Sequence, residues 1–248
     1  MEIERNMLPD NSKVIAFIPG KTASVGLPGK MFKKIGQHSL LEWTLLAATQ
    51  SKYIDEIVVS AIDPLVFEAF NKFASEHPEK TFRAVERPLE LCSPISKTEE
   101  AINHLFNNYP YYTEFDYLVM LQATSPARRD GLIDKCFDKL IETEADSLLT
   151  VTASAPFFWK KTGVGHAYIP TYDVLNRPMR QELFDRDYYY HDNGNIYITK
   201  IDKYLEFRCR VSGVVEIYPT DKFESLQIDN MEDFVMMQSL HDYYGSCL

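Results

Sequence analysis

Between Asn11 and Leu41 the chain carries five lysines (Lys13, Lys21, Lys30, Lys33 and Lys34) and neither aspartate nor glutamate. The segment is therefore +5, on a protein whose formal net charge is −10. A basic island on an acidic chain suits a small, densely charged anion such as a nucleoside triphosphate. On charge alone, a solvated lysine-rich loop fits equally well. The centre of the island reads Ile18-Pro-Gly-Lys-Thr-Ala-Ser-Val-Gly-Leu-Pro-Gly-Lys-Met-Phe32. Its small residues let backbone approach a ligand closely, and consecutive N–H groups can form a nest for an anion. Lys21 and Lys30, nine residues apart, add the charge that N–H groups lack. The spacing is not that of a Walker A loop, since Ser24 stands where its first glycine would be and Met31 where it needs Ser or Thr. Nor is it GxGxxG, so the P-loop and dinucleotide readings both fail.

Other chemistries find less support. The cysteines Cys92, Cys136, Cys209 and Cys247 are scattered without CxxC spacing, which argues against structural zinc and a disulfide framework. The six histidines show no HxH or HxxxH spacing, and no GxSxG elbow is present.

The elements that must hold the lysine loop alternate between strand and helix. Short apolar runs at 14–18, 56–60, 117–121 and 147–151 read as buried strands, with a weaker one at 81–84. Helical patterns fall at about 39–51, with Ser39 as N-cap, and at 64–76, with Pro64 in the first turn. Others follow at about 96–108, 130–142 and 231–244. This alternation predicts an α/β fold: an open, mostly parallel sheet covered on both faces, binding its ligand at the carboxyl ends of the strands. The loops after Ile18, Ser60, Ala84 and Leu121 should share that edge. Between about 155 and 191 the alternation stops, and prolines and aromatics such as Phe157, Phe158, Trp159 and Tyr188 to Tyr190 accumulate. We read this as an excursion from the sheet that serves as a subunit interface or substrate lid. Strands at 195–199 and 214–218 return the chain to the sheet.

The size, 248 residues, suits a single α/β domain spanning 1–248 with the 155–191 element inserted. The acidic balance, 26 Lys and Arg against 36 Asp and Glu, disfavours nucleic acid and anionic membranes as partners. No apolar run approaches the length of a membrane span. Acids occupy the N-terminal stretch where a secretory leader would be basic, so the expected location is cytoplasmic.

With these residues in view, the chain resembles the CMP-acylneuraminate (CMP-sialic acid) synthetases and their nonulosonate relatives. Their loop signature I-P-A-R-G-G-S-K-G-L-P-G-K-N aligns with residues 18–31 without a gap. Further matches follow in order: Glu86-Arg-Pro-Leu-Glu-Leu91, Leu121-Gln-Ala-Thr-Ser-Pro126 with Arg128, Arg180-Gln181, Asp192-Asn-Gly-Asn-Ile-Tyr-Ile198 and Ser225-Leu-Gln-Ile-Asp229. The resemblance covers roughly 14–240 and implies a three-layer, Rossmann-like nucleotidyltransferase fold with a small dimerisation insertion. It implies transfer of CMP from CTP to the anomeric hydroxyl of an acidic 2-keto sugar, with release of pyrophosphate, by a magnesium-dependent homodimer.

On that resemblance Lys21, Ser24, Gly26 and Lys30 cradle the triphosphate, and Arg87, Ser96 and Thr98 meet the base or ribose. Gln122, Arg180, Asn193 and Tyr197 lie on the sugar side, and Asp229 binds magnesium; Lys30, Lys21 and Asp229 carry the catalysis. Several positions depart from the family pattern. Val25 replaces a loop lysine, Met31 an asparagine, and Gln227 the first carboxylate of a D-x-D metal motif, while S-T-D-D reads Ser60-Ala-Ile-Asp63. These departures leave two alternatives: transfer to another acid, such as an eight-carbon sugar acid or a phosphonate, or a weakened homologue that binds nucleotide without turnover.

Overall fold

The computed structural model describes residue 8 and residues 12–20, 26–93, 95–163 and 167–244. The chain enters the sheet with β1 (Val14–Pro19), makes a small hairpin of β2 (Lys34–Ile35) and β3 (His38–Ser39), and runs into α1 (Leu40–Gln50). Next come β4 (Glu56–Ala61), α2 (Pro64–Glu76), β5 (Thr81–Glu86), α3 (Thr98–Asn108), β6 (Tyr117–Leu121), α4 (Leu132–Glu142) and β7 (Ser147–Ser154). A second hairpin, β8 (Trp159–Lys161) with β9 (Tyr168–Pro170), belongs to the excursion. The chain returns with β10 (Tyr189–Lys200), α5 (Ile201–Phe207), β11 (Val215–Thr220) and α6 (Met231–Tyr244).

Seven strands form one sheet in the order β11-β7-β10-β6-β1-β4-β5. Every pairing is parallel except those of β10, which runs against both β6 and β7. The alternation of strand side chains builds the three layers. Val14, Ala16 and Ile18 face a core shared with α1, α2 and α4, whereas Ile15 and Phe17 face one shared with α3 and α5. A third apolar cluster, including Leu27, Ile35, Ile228 and Met237, seats α6 beside the first hairpin.

The expected caps are present. The Ser39 hydroxyl accepts from Glu42 N at 3.2 Å and the Glu42 carboxylate accepts from Ser39 N at 2.6 Å, a reciprocal capping box. Asp63 caps α2 through Leu65 N at 2.9 Å, with Pro64 following.

Two boundaries need correction. β10 begins at Tyr189 rather than near 195, because Tyr189 to Asp192 pair with Ser154 to Val151 of a β7 longer than expected. The excursion therefore closes at residue 188, not 191. β5 extends to Glu86; it is an edge strand with mostly exposed side chains, so it lacks the apolar run that marks a buried one.

Candidate active site at the carboxyl edge of the sheet

Because β1, β4, β5 and β6 are parallel, the loops after Pro19, Ala61, Glu86 and Leu121 gather at one edge, as the alternation predicts. β10 runs the other way and brings its early residues, Asp192 to Asn195, to the same edge. The segment before α6 completes the rim. Ile228 N donates to Thr124 O at 2.8 Å, and Asp233, in the first turn of α6, accepts from Asp229 N at 2.9 Å and Asn230 N at 3.1 Å.

Of the loop residues expected to cradle a triphosphate, Lys30 has the fullest set of contacts among the described residues. Its side chain is only 10% exposed, and Nζ donates to Ile228 O at 2.8 Å and Asp229 Oδ1 at 3.0 Å. Two of its three N–H donors are thus held by the opposite wall of the site, and the third has no acceptor among the described residues. Gly26 makes this approach possible: a Cβ there would overlap the carbonyl oxygen of Asp229. Sequence positions 200 residues apart are thereby pressed together. Lys21, Ser24 and Val25 lie outside the described residues. Lys33 stacks its ammonium 5.7 Å from the Phe234 ring, so this part of the basic island serves α6 rather than the loop.

Arg87, expected at the base, is 2% exposed. Its Nη2 donates to Gly20 O at 2.8 Å, its Nε to Cys92 Sγ at 3.3 Å, and its backbone N–H to Ala61 O at 2.7 Å. It thus ties the exits of β1, β4 and β5 together. Ser96 donates to Glu90 O at 2.9 Å and meets Ser93 Oγ at 2.7 Å. Thr98, half-buried, opens α3.

The four sugar-side candidates separate. Gln122 is half-buried at the end of β6, where Thr124 Oγ1 donates to its Oε1 at 3.2 Å. Asn193 is buried and turned into the sheet: Oδ1 accepts from Thr150 Oγ1 at 2.8 Å, and Nδ2 donates to Thr220 Oγ1 at 2.7 Å and Thr152 Oγ1 at 3.2 Å. Tyr197 is buried too. Its hydroxyl donates to Asp192 Oδ1 at 2.6 Å, and burial followed by that bond pushes its pKa up. Arg180 is exposed on a short turn of the excursion and bonds no described side chain of the sheet edge.

The residues that shape this wall were not singled out by type. Residues 193–196 of β10 stand opposite Thr150 alone, a wide bulge in the pairing with β7. Thr150 Oγ1 accepts from Ile196 N at 3.0 Å, and Asn195 Nδ2 donates to Ala127 O at 2.9 Å and Glu224 O at 2.6 Å. Arg128, 3% exposed, donates from Nη2 to Gln122 O at 2.8 Å and Asn195 O at 2.9 Å, and from Nη1 to Thr44 Oγ1 at 3.1 Å. The sequence signal for the bulge is the Asn193-Gly194 dipeptide, which marks an irregularity in a strand; the burial of Arg128 carries no such signal.

A lysine held between a glycine-rich loop and an aspartate at this edge suits a triphosphate, and the comparisons with known proteins point the same way. The family profile described as cytidylyltransferase matches residues 15–155. The chain belongs to the cytidylyltransferase family. This cytidylyltransferase-family chain is 28% identical over 234 residues to the N-acylneuraminate cytidylyltransferase of Escherichia coli O18:K1:H7, covering 90% of this chain and 51% of that one. It is 25% identical over 236 residues to the CMP-N,N'-diacetyllegionaminic acid synthase of Legionella pneumophila, covering 92% and 96%. The chain spans about half the length of several curated relatives it matches. A solved CMP:2-keto-3-deoxy-manno-octonic acid synthetase complexed with CTP superposes with a TM-score of 0.64 at 14% identity, covering 94% of this chain and all of that one. The cytidylyltransferase fold is thus the one read from the sequence. No helix among the described residues is long and apolar enough to cross a membrane.

Proposed function

We propose that the protein transfers CMP from CTP to the anomeric hydroxyl of an acidic 2-keto sugar of the sialic acid type. The observation that supports this most directly is the Lys30–Asp229 pair seated against Gly26 at the carboxyl edge of a cytidylyltransferase fold. In the reaction the hydroxyl oxygen bonds to the α-phosphorus, the bond to the β-phosphate oxygen breaks, and pyrophosphate leaves with that electron pair. The hydroxyl proton passes to solvent. Such transfers depend mostly on positioning and charge neutralisation. Lys30 supplies a fixed ammonium with one of its three N–H donors left for phosphate oxygens, and Lys21 and Ser24 extend the cradle. Arg87 holds the strand exits that shape the base side, where Ser96 and Thr98 stand. Gln122 faces the sugar, with Asn193 and Tyr197 supporting the wall behind it.

The donor set fits magnesium. Asp229 offers one carboxylate whose side chain is 67% exposed, and no group of three His, Cys, Asp or Glu side chains gathers among the described residues. Magnesium is held through one or two carboxylates, phosphates and water, whereas a structural zinc site needs the fuller cluster. When bound, the ion would neutralise triphosphate charge; Asp229 would hold it, and Lys30 fixes the Asp229 carboxylate in place.

The proposal includes a cytoplasmic homodimer in which the excursion covers the partner, because it exposes several apolar side chains close together in the chain, Met179, Phe184 and Leu175 among them. Arg180, which bonds no described side chain of its own sheet edge, would then serve the partner's pocket. Gln227, in place of a carboxylate, favours the second reading, a binding protein without turnover. Pyrophosphate release from CTP and magnesium, measured across sialic, legionaminic and eight-carbon keto acids, decides between them. Release with one acid supports the transferase; CTP binding without release for any acid overturns it.

A further inference from the structure

Gly194 sits on the β10 bulge with φ +69°, and a Cβ there would overlap Nε2 of Gln227. The same point lies 3.6 Å from Nε2 of Gln122. Two side-chain amides therefore converge on one spot at the carboxyl edge of the sheet. Thr124 holds the carbonyl end of the Gln122 amide at 3.2 Å, which turns its NH2 group toward Gly194. Neither NH2 group has an acceptor among the described residues, and both side chains are partly open to solvent. Paired N–H donors without acceptors, aimed at one place, are what an oxygen ligand requires.

Charge lies directly behind them. Arg128 is buried and donates to the backbone carbonyls of Gln122 itself and of Asn195, the residue after Gly194. Its hydrogen-bond partners Thr44, Gln122 and Asn195 are neutral, and no carboxylate forms an ion pair with it among the described residues. Burial alone lowers the guanidinium to about 9. A cation withdrawn from water without a counter-charge is costly, and an anion bound nearby offsets that cost.

We propose that the amides of Gln122 and Gln227, over Gly194 and backed by the buried Arg128, form the subsite for the carboxylate of the acceptor acid. The inference rests on the transferase reading and deepens it. Gln227 then has a positive reason to be neutral: an aspartate there would set a second negative charge against the substrate's own. Gln122 and Gln227 contact substrate; Arg128 positions them and supplies field.

The test compares the full-length wild type with Gln227→Asp and Gln227→Asn by steady-state kinetics and by calorimetric binding of sialic acid and an eight-carbon keto acid. Gln227→Asp is expected to raise the acceptor KM about tenfold or more through like-charge repulsion. The CTP KM stays within about twofold, since only the acceptor side has changed. Gln227→Asn, neutral but shorter, falls between. An unchanged acceptor KM in Gln227→Asp overturns the subsite, and so does a lower magnesium requirement as its only effect. If no acid is turned over by the wild type, the transferase reading fails on its own. Binding then still decides the subsite: an acid that binds wild type but not Gln227→Asp supports it, and equal binding or none overturns it.

Discussion

The β10 bulge and the excursion at 155–188 leave the same sheet within a few residues of each other, yet they are held in opposite ways. In the bulge both ends of the Asn193 side-chain amide are engaged, Asn195 bridges two carbonyls, and residues 193–199 are buried. An irregular backbone is stable there because its lost ladder bonds are replaced by side chains. In the excursion Leu175 is 96% exposed, Phe184 65% and Met179 63%. Its ties among the described residues are mostly local: Arg177 lies 4.3 Å over the Phe157 ring, and β8 pairs with β9, while Phe158 meets Tyr189 at the start of β10. One region is complete within the chain; the other carries apolar surface that a second molecule would cover.

The contrast can be broken experimentally. The largest effect belongs to Lys30→Ala. It should lower kcat/KM by about 100- to 1,000-fold, the scale for losing one preorganised charge contact, with the fold retained by circular dichroism. Activity within a few-fold of wild type would remove the loop wall from the site. Asn193→Ala tests the self-supporting bulge: removing its hydrogen bonds to Thr150, Thr152 and Thr220 should cost about 2–3 kcal/mol in urea unfolding. A cost under about 0.5 kcal/mol would mean that the bulge does not depend on its own side chains. Leu175→Glu combined with Phe184→Glu tests the other region. Sedimentation should move from dimer to monomer while the stability of the dilute chain stays within about 0.5 kcal/mol, as for surface changes. A wild type that sediments as a monomer at tens of micromolar would end the comparison there.

The smallest effect is a pH dependence beside Arg87. Burial, and then the charge of Arg87, hold the His104 imidazole below its usual pKa, and its Nδ1 is buried without a partner among the described residues. The unfolded chain takes up this proton below about pH 6.5, before the folded one does, so stability falls as pH drops through that value. His104→Gln should flatten that part of the pH profile of the unfolding midpoint. An unchanged slope would place the acid sensitivity elsewhere.

Much of this molecule is legible in its sequence, for identifiable reasons. Residues 14–18, 56–60 and 117–121 are continuous apolar runs because central parallel strands are buried on both faces, and β4 is buried along its whole length. Ser39 and Pro64 announce helix starts because capping is a local matter of a few residues. The glycine-lysine loop was visible because a phosphate site needs small residues and charge close together in the chain. The antiparallel start of β10 and the length of β5 were not visible, and of the bulge only the Asn193-Gly194 dipeptide was, not the partners that hold it. Their side chains answer to partners far away in sequence or to solvent, and no local period records that.

The sequence by itself determined the order of strands and helices, the edge at which the loops gather, and the residue types available there. Only the tertiary structure decided what several of them do. Lys30 meets Asp229 across 199 positions, Gln122 and Gln227 converge over Gly194, and Arg128 is carried out of water without a counter-charge. Local propensity acts over a few residues, whereas burial and the pairing of polar groups are settled only once distant segments are packed together.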